Sequence, residues 1–212
     1  MRADRQNPEG GANADPGALL ALARFVFETG YLKRVPRTGW FLAGVESPES
    51  VAEHTSRTTM IGMILALLSE EPVEPGRVAM MCALHDLAET RTGDIPSVGK
   101  QYLVKTGDVD VLHDQLAGAP DAVESALVQL IEEYEDRKTI EARLARDADK
   151  LECLAQAIEY QRAGIEDASQ WITGSYESIG TEVGRSLADA VLNTSPGTWW
   201  HDFVSSYRTP PA

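Results

Sequence analysis

The stretch Ala83-Leu84-His85-Asp86-Leu87-Ala88-Glu89-Thr90 sets a histidine and an aspartate side by side within an apolar helical pattern. Val78, Met81, Cys82, His85 and Glu89 recur at helical spacing and share one face, with Asp86 one step round the cylinder. So apolar a face turns inward, and a carboxylate beside an imidazole is costly there unless something pairs it. A divalent cation is an economical partner, and it asks for further ligands from other segments. The pair thus constrains the chain to a fold in which separate helices converge on one buried point. A lone His-Asp dipeptide usually has a plainer meaning, with His85 in a core hydrogen bond and Asp86 facing water; here it is not alone.

The other apolar residues keep the same period. Leu19, Leu22, Ala23, Val26 and Phe27 outline a helix from Gly17 to about Thr29, with Gly30 as its stop. Ser47 before Pro48, or Ser50 with Glu53 three residues on, starts a second helix whose stripe is His54, Thr58, Ile61, Leu65 and Leu68, ending near Glu70. Pro72 and Pro75 break the chain, and the His85-Asp86 helix is expected from about Pro75 or Gly76 to just before Gly93. Asp94-Ile95-Pro96 reads as an ordered turn, and Lys100 to Pro120 shows no clean period. Asp121 is a candidate cap for a helix through Val123, Leu127, Leu130, Ile131 and Tyr134. Ile140, Leu144, Leu151, Leu154 and Ile158 mark a helix from about Thr139 to Arg162, ended by Gly164. A loop around Trp171 and a last helix from about Ser175 to Leu192 follow. No alternating apolar run bounded by turns occurs, so the expected class is all-α, one helical domain over residues 16–195 with no second domain. Residues 1–15 read as a disordered tail, and 196–212 as an aromatic tail (Trp199, Trp200, Phe203, Tyr207) docking on the domain.

Charge narrows the possible partners. The 212 residues carry a formal charge of −14, which argues against a nucleic acid polymer while leaving room for a small anion in a locally positive pocket. Cys82 and Cys153 lie in apolar helical contexts with no pairing pattern, as in a reduced, cytoplasmic protein. The N-terminus has no apolar signal core, and no stretch approaches the ~20 apolar residues of a membrane span. Against this acidic background, Tyr31 to Phe41 concentrates Lys33, Arg34 and Arg37 beside Trp40. Such a loop can hold a phosphate and stack a base; equally, it can be a solvated connection whose Trp40 packs in the core.

Three segments offer His54, His85-Asp86 and a carboxylate from Asp147-Ala148-Asp149, a set suited to a mid-row divalent ion with open positions. The order His, then His-Asp, then Asp resembles the HD-domain metal-dependent phosphohydrolases. Leu32-Lys33-Arg34-Val35-Pro36-Arg37-Thr38-Gly39-Trp40, Glu49-Ser50-Val51-Ala52-Glu53-His54, His85-Asp86-Leu87-Ala88-Glu89, Gly93-Asp94-Ile95 and Glu159-Tyr160 resemble the 5'-deoxynucleotidase branch of that family, over residues 17 to 165. The resemblance implies an HD-domain helical bundle with one divalent ion (Mn, Co, Mg, Fe or Zn) between its core helices. It places the ligands at His54, His85, Asp86 and Asp149, whereas helical periodicity puts Asp147 on the apolar stripe and Asp149 opposite.

The implied activity is removal of phosphate from nucleoside 5'-monophosphates, 2'-deoxy preferred, by a homodimer. Glu89 and Asp94 would be catalytic carboxylates, and Arg34, Arg37 and Trp40 would bind substrate. Gly39 stands where parts of the family carry a basic residue directly before the tryptophan, leaving Arg37 as the nearest cation. His113 and His201 fall outside every motif. Two alternatives keep the scaffold: a hydrolase for a modified nucleotide of a specialised pathway, and a non-catalytic nucleotide-binding regulator.

Overall fold

The computed structural model describes residues 15–103 and 106–208. The tail expected over residues 1–15 lies, apart from Asp15, outside them. Asp15 itself is ordered as a helix cap, its carboxylate accepting from the backbone N–H groups of Gly17 and Ala18. In chain order the helices are α1 (Pro16–Thr29), α2 (Gly39–Leu42), α3 (Val51–Leu68), α4 (Pro75–Leu84), α5 (Glu89–Thr92), α6 (Ser97–Lys100), α7 (Asp108–Gln115), α8 (Asp121–Asp136), α9 (Ile140–Arg162), α10 (Ser169–Glu177), α11 (Glu182–Leu192) and α12 (Thr198–Arg208). Among the described residues, extended pairing is limited to an isolated bridge between Pro36 and Ser50, so the all-α expectation holds.

Local chemistry sets the long helices. Of the two start signals before α3, Ser50 is the one used: its hydroxyl accepts from Glu53 N at 3.2 Å while Glu53 Oε2 accepts from Ser50 N at 2.7 Å. Pro75 opens α4, and the Thr139 hydroxyl caps α9 through Ala142 N. Asp121 is the first helical residue of α8, with Pro120 in the cap position expected for Asp121. The largest core cluster joins α3, α4, α8 and α9 through Leu65, Val78, Met81, Leu130, Leu144 and Leu154. A second gathers Leu32, Val35, Val51, Leu87, Leu112 and Ile131 beneath the 3₁₀ turn Gly30–Arg34. At Gly62 a Cβ would stand 2.6 Å from Cys82 Sγ and 3.2 Å from Val78 Cγ1, so this glycine lets α3 and α4 close on each other.

Several expectations are corrected. The helix carrying the His-Asp pair ends at Leu84, and residues 85–88 form a turn with bonds from Leu87 N to Leu84 O and Glu89 N to Asp86 O. The unreadable stretch after Lys100 contains α7, and the loop expected around Trp171 is α10, separated from α11 by the turn at 178–181. Leu68, at the end of the α3 stripe, is exposed. The aromatic tail is helical rather than docked: Trp199 and Tyr207 are 75% and 82% exposed, and Trp200 stacks on Phe203 along α12 itself, centroids 6.1 Å apart. A polar-rich helix of this kind can cover part of its aromatic surface by i, i+3 and i, i+4 contacts within itself.

Candidate metal centre and its cavity

Three parts of the chain meet at one point. His54 comes from the first turns of α3, His85 and Asp86 from the turn after α4, and Asp149 from the middle of α9. His54 Nε2 lies 3.3 Å from His85 Nε2, 3.6 Å from Asp86 Oδ2 and 3.4 Å from Asp149 Oδ1. His85 Nε2 is 3.1 Å from the same Asp86 oxygen.

The outward ring nitrogens decide what the inward ones carry. His85 Nδ1 faces the Cys82 carbonyl oxygen at 2.7 Å; a carbonyl only accepts, so Nδ1 holds the proton and Nε2 a lone pair. His54 Nδ1 donates to the buried carboxylate of Glu152, whose other oxygen accepts from Arg57 Nε at 2.8 Å. The two Nε2 atoms thereby face each other beside the Asp86 carboxylate, with Asp149 on the far side of His54 Nε2 at 3.4 Å, an arrangement that calls for positive charge among them, either a proton on His54 or a metal ion. The donor set of nitrogen and carboxylate oxygen, with each histidine oriented from behind, fits a divalent ion.

The charges respond accordingly. Burial pushes the Asp149 carboxyl up, but the bond from His54 and the nearby Lys150 outweigh it and hold it well below the usual carboxylate range. Burial likewise raises Asp86, yet His85 and the Arg37 guanidinium hold it low. For His54, burial and Arg37 favour the neutral ring, and Asp149 and Glu152 overcome them to raise its pKa; a bound cation would take over that proton's role.

The other expected residues fall at different distances from this point. Asp147 is buried but faces away, its oxygens accepting from Gly180 N, Thr181 N and the Thr181 hydroxyl at 2.6–2.8 Å, where it braces the entry to α11. Both faces of α9 are covered, which is why a single apolar stripe misleads there. Glu89 lines the cavity beside the ligands, and its buried Oε2 has no hydrogen-bond partner. Burial, together with the charges of Asp86 and Asp94, pushes its carboxyl up to about 9. Asp94 spends Oδ2 on Thr38, accepting from its N at 2.5 Å and its hydroxyl at 3.2 Å, so it pins the loop that carries Arg37.

Arg37 is directed into the site, Nη1 3.1 Å from Asp86 Oδ2 and Nη2 3.3 Å from Cys153 Sγ. Arg34, by contrast, is exposed and is absent from the cavity wall. Trp40 is buried, its Nε1 donating to Glu49 Oε1 at 3.0 Å and its ring packed against Tyr160 and Trp171. Arg37, Trp40, Asp86, Glu89, Asp94 and Asp149 line a cavity of about 630 Å³, together with Gln170 and Trp171 of α10. His113 pairs with Glu124, and His201 is exposed on α12; neither lines this cavity. Sequence reasoning missed Glu152, Arg57, Cys153, Lys100 and Arg146. Spacing was a signal for the first two: Arg57 follows His54 by three residues and Glu152 follows Asp149 by three, so each lies one turn along the helix from a ligand.

Comparison with known proteins agrees with this arrangement. A family model described as the HD domain matches residues 29–190. The chain is 34% identical over 154 residues to a Xenopus laevis protein named 5'-deoxynucleotidase HDDC2, covering 71% of this chain and 74% of that one. A conserved hypothetical protein from Pyrococcus furiosus superposes with a TM-score of 0.68 at 30% identity, over 80% of this chain and 96% of that one. A protein described as a predicted metal-dependent phosphohydrolase, from Magnetospirillum magnetotacticum MS-1, gives 0.60 at 25% identity, over 84% and 92%. With the family match spanning most of its length and the His, His-Asp, Asp residues gathered at one point, the chain belongs to the HD-domain family.

Proposed function

We propose that this protein is a metal-dependent phosphomonoesterase that removes phosphate from nucleoside 5'-monophosphates, with 2'-deoxy substrates preferred. The observation that carries the reading is the cluster of His54, His85 and Asp86 within 4.8 Å of one another, with Asp149 3.4 Å from His54, and with Asp86, Asp149, Glu89 and Arg37 lining one nucleotide-sized cavity. The relative named 5'-deoxynucleotidase supports the substrate class. His54, His85, Asp86 and Asp149 would hold a divalent ion (Mn, Co, Mg, Fe or Zn), which would supply Lewis-acid polarisation and neutralise phosphoryl charge.

The chain's own groups do the rest. Arg37, pinned through Thr38 and Asp94, offers its guanidinium to the phosphate. Glu89, whose carboxyl is pushed up by burial and neighbouring negative charge and whose Oε2 is free of any partner among the described residues, is the group placed to exchange a proton with a water in the cavity. Asp94 orients the loop, with its cavity-facing position open to the leaving 5'-oxygen. Trp40 is held on three sides, by Glu49, Tyr160 and Trp171, so its ring is a rigid wall able to crowd a ribose 2'-hydroxyl. The same reading takes a cytoplasmic location, in keeping with two free buried cysteines, and a homodimer, in keeping with the exposed Phe27 of α1 and Leu67 of α3.

The test is phosphate release from paired ribo- and deoxyribonucleoside 5'-monophosphates with Mn, Co, Mg or Zn added. Faster deoxy turnover that narrows in Trp40→Ala is expected. Equal turnover of both sugars, or an unchanged ratio in the variant, overturns the sugar selection; no phosphate release from any of them overturns the substrate class.

A further inference from the structure

Next to the metal-side cavity lies a second pocket of about 410 Å³ walled by Arg137, Arg143, Arg146, Lys150 and Asp147. The two cavities share Arg146, Lys150 and Ser178, so they adjoin. In a chain of net charge −14, four cations facing one pocket is a concentration that overall composition does not produce by itself.

Local energetics opposes this arrangement at each position. Arg143, Arg146 and Lys150 stand at i, i+3 and i+7 on one face of α9, where like charges repel. Arg143 is also in the first turns of that helix, the end whose dipole disfavours cations. Arg137 has φ +56°, the one positive-φ non-glycine among the described residues, at a helix end where glycine is the usual occupant. Partners within the chain compensate only in part. Glu71 lies 3.8 Å from Arg143; Arg146 reaches Tyr134 Oη at 3.3 Å and Asp149 at 3.9 Å; Lys150 meets Asp149 at 2.8 Å. The remaining carboxylate, Asp147, has its oxygens occupied by the Gly180 and Thr181 backbone and the Thr181 hydroxyl.

We infer that the pocket formed by Arg137, Arg143, Arg146 and Lys150 is a second anion site, contiguous with the metal-side cavity, that takes a phosphoryl group. The group comes either on the substrate, as a second phosphate of the nucleotide, or as free phosphate. Binding at the pocket stands by itself; its use by a substrate rests on the phosphomonoesterase reading.

The test uses Arg137→Gly with Arg143→Gln in the full chain loaded with metal. The glycine relieves the positive φ and the glutamine suits a helix, so the fold is expected to persist. Calorimetric titration with inorganic phosphate should show two sites in the unmodified protein and one in the double variant. In kinetics, a 2'-deoxynucleoside 3',5'-bisphosphate should exceed the 5'-monophosphate about tenfold in kcat/KM if the substrate brings the second group. That excess, about 1.4 kcal/mol, should vanish in the variant with monophosphate turnover unchanged. Two phosphate sites without a bisphosphate preference assigns the pocket to free phosphate. Identical phosphate binding and identical substrate ratios in both proteins overturn the site. The titration does not depend on turnover, so a protein that hydrolyses no monophosphate yet loses one phosphate site in the variant refutes the enzymatic reading and leaves the anion site standing.

Discussion

Asp147 and Asp149 differ by two residues and by their whole surroundings. Asp149→Asn should abolish metal binding, read by calorimetry, because an amide neither neutralises the ion nor offers the same oxygen. Asp147→Asn should keep metal and lose about 1–3 kcal/mol of stability, since the new NH₂ faces donors that Asp147 now accepts from. Glu89 gives a pH signature. Its carboxyl titrates at about 9 in the fold against an ordinary 4.5, so between those values the native state binds more protons than the unfolded chain and stability falls as pH rises. Glu89→Gln removes that loss. In chelator-treated protein its unfolding free energy, read by denaturant titration, should match the parent's near the lower value and exceed it progressively towards pH 9, by the order of a few kcal/mol, while turnover in the metal-loaded variant is lost.

At the level of elements, the site depends on how closely α3 approaches α4 and on the order of α3's first turn. Gly62→Ala places a methyl against Cys82 and Val78, and overpacking of this kind costs about 1–3 kcal/mol. A lower melting temperature together with weaker metal affinity is expected, because α3, which bears His54, and α4, which leads into the turn bearing His85, are wedged apart; lost stability with unchanged affinity would show that the candidate ligands reposition independently of the packing. The capping box at Ser50 and Glu53 explains why the start of α3 was readable: both halves of the motif lie within four residues. The break after Leu84 was not, because nothing in residues 85–88 terminates a helix by propensity.

For the whole molecule, the candidate ligands come from α3, the turn after α4 and α9, so an ion held by them would tie together helices that form the main core. An ion that binds this arrangement and not the unfolded chain stabilises it by mass action, about 2.7 kcal/mol at a hundredfold excess over Kd. Chelation should therefore lower the melting temperature, and added Mn or Co should restore it in proportion to the logarithm of concentration. Failure of any tested divalent ion to shift the transition would contradict the metal site. No described helix is long and apolar enough to cross a membrane.

The all-α class, most helix positions and the identity of the His54, His85 and Asp86 cluster were legible because they depend on short-range information: periodicity of apolar residues, caps, and polar groups within apolar faces. Which of Asp147 and Asp149 approaches His54 lay beyond periodicity. A helix covered on both faces, as α9 is, gives two inward directions, and only the neighbours of each carboxylate distinguish them. The same holds for Arg37 over Arg34, three residues apart in one basic loop, where Asp86 and the Thr38–Asp94 contact select the residue that turns inward. It holds too for the basic pocket, since Arg137 joins the α9 cations only through the left-handed turn after α8. Local sequence sets which surfaces must be buried; which charged groups meet is decided by long-range packing, where every contact links residues far apart in the chain.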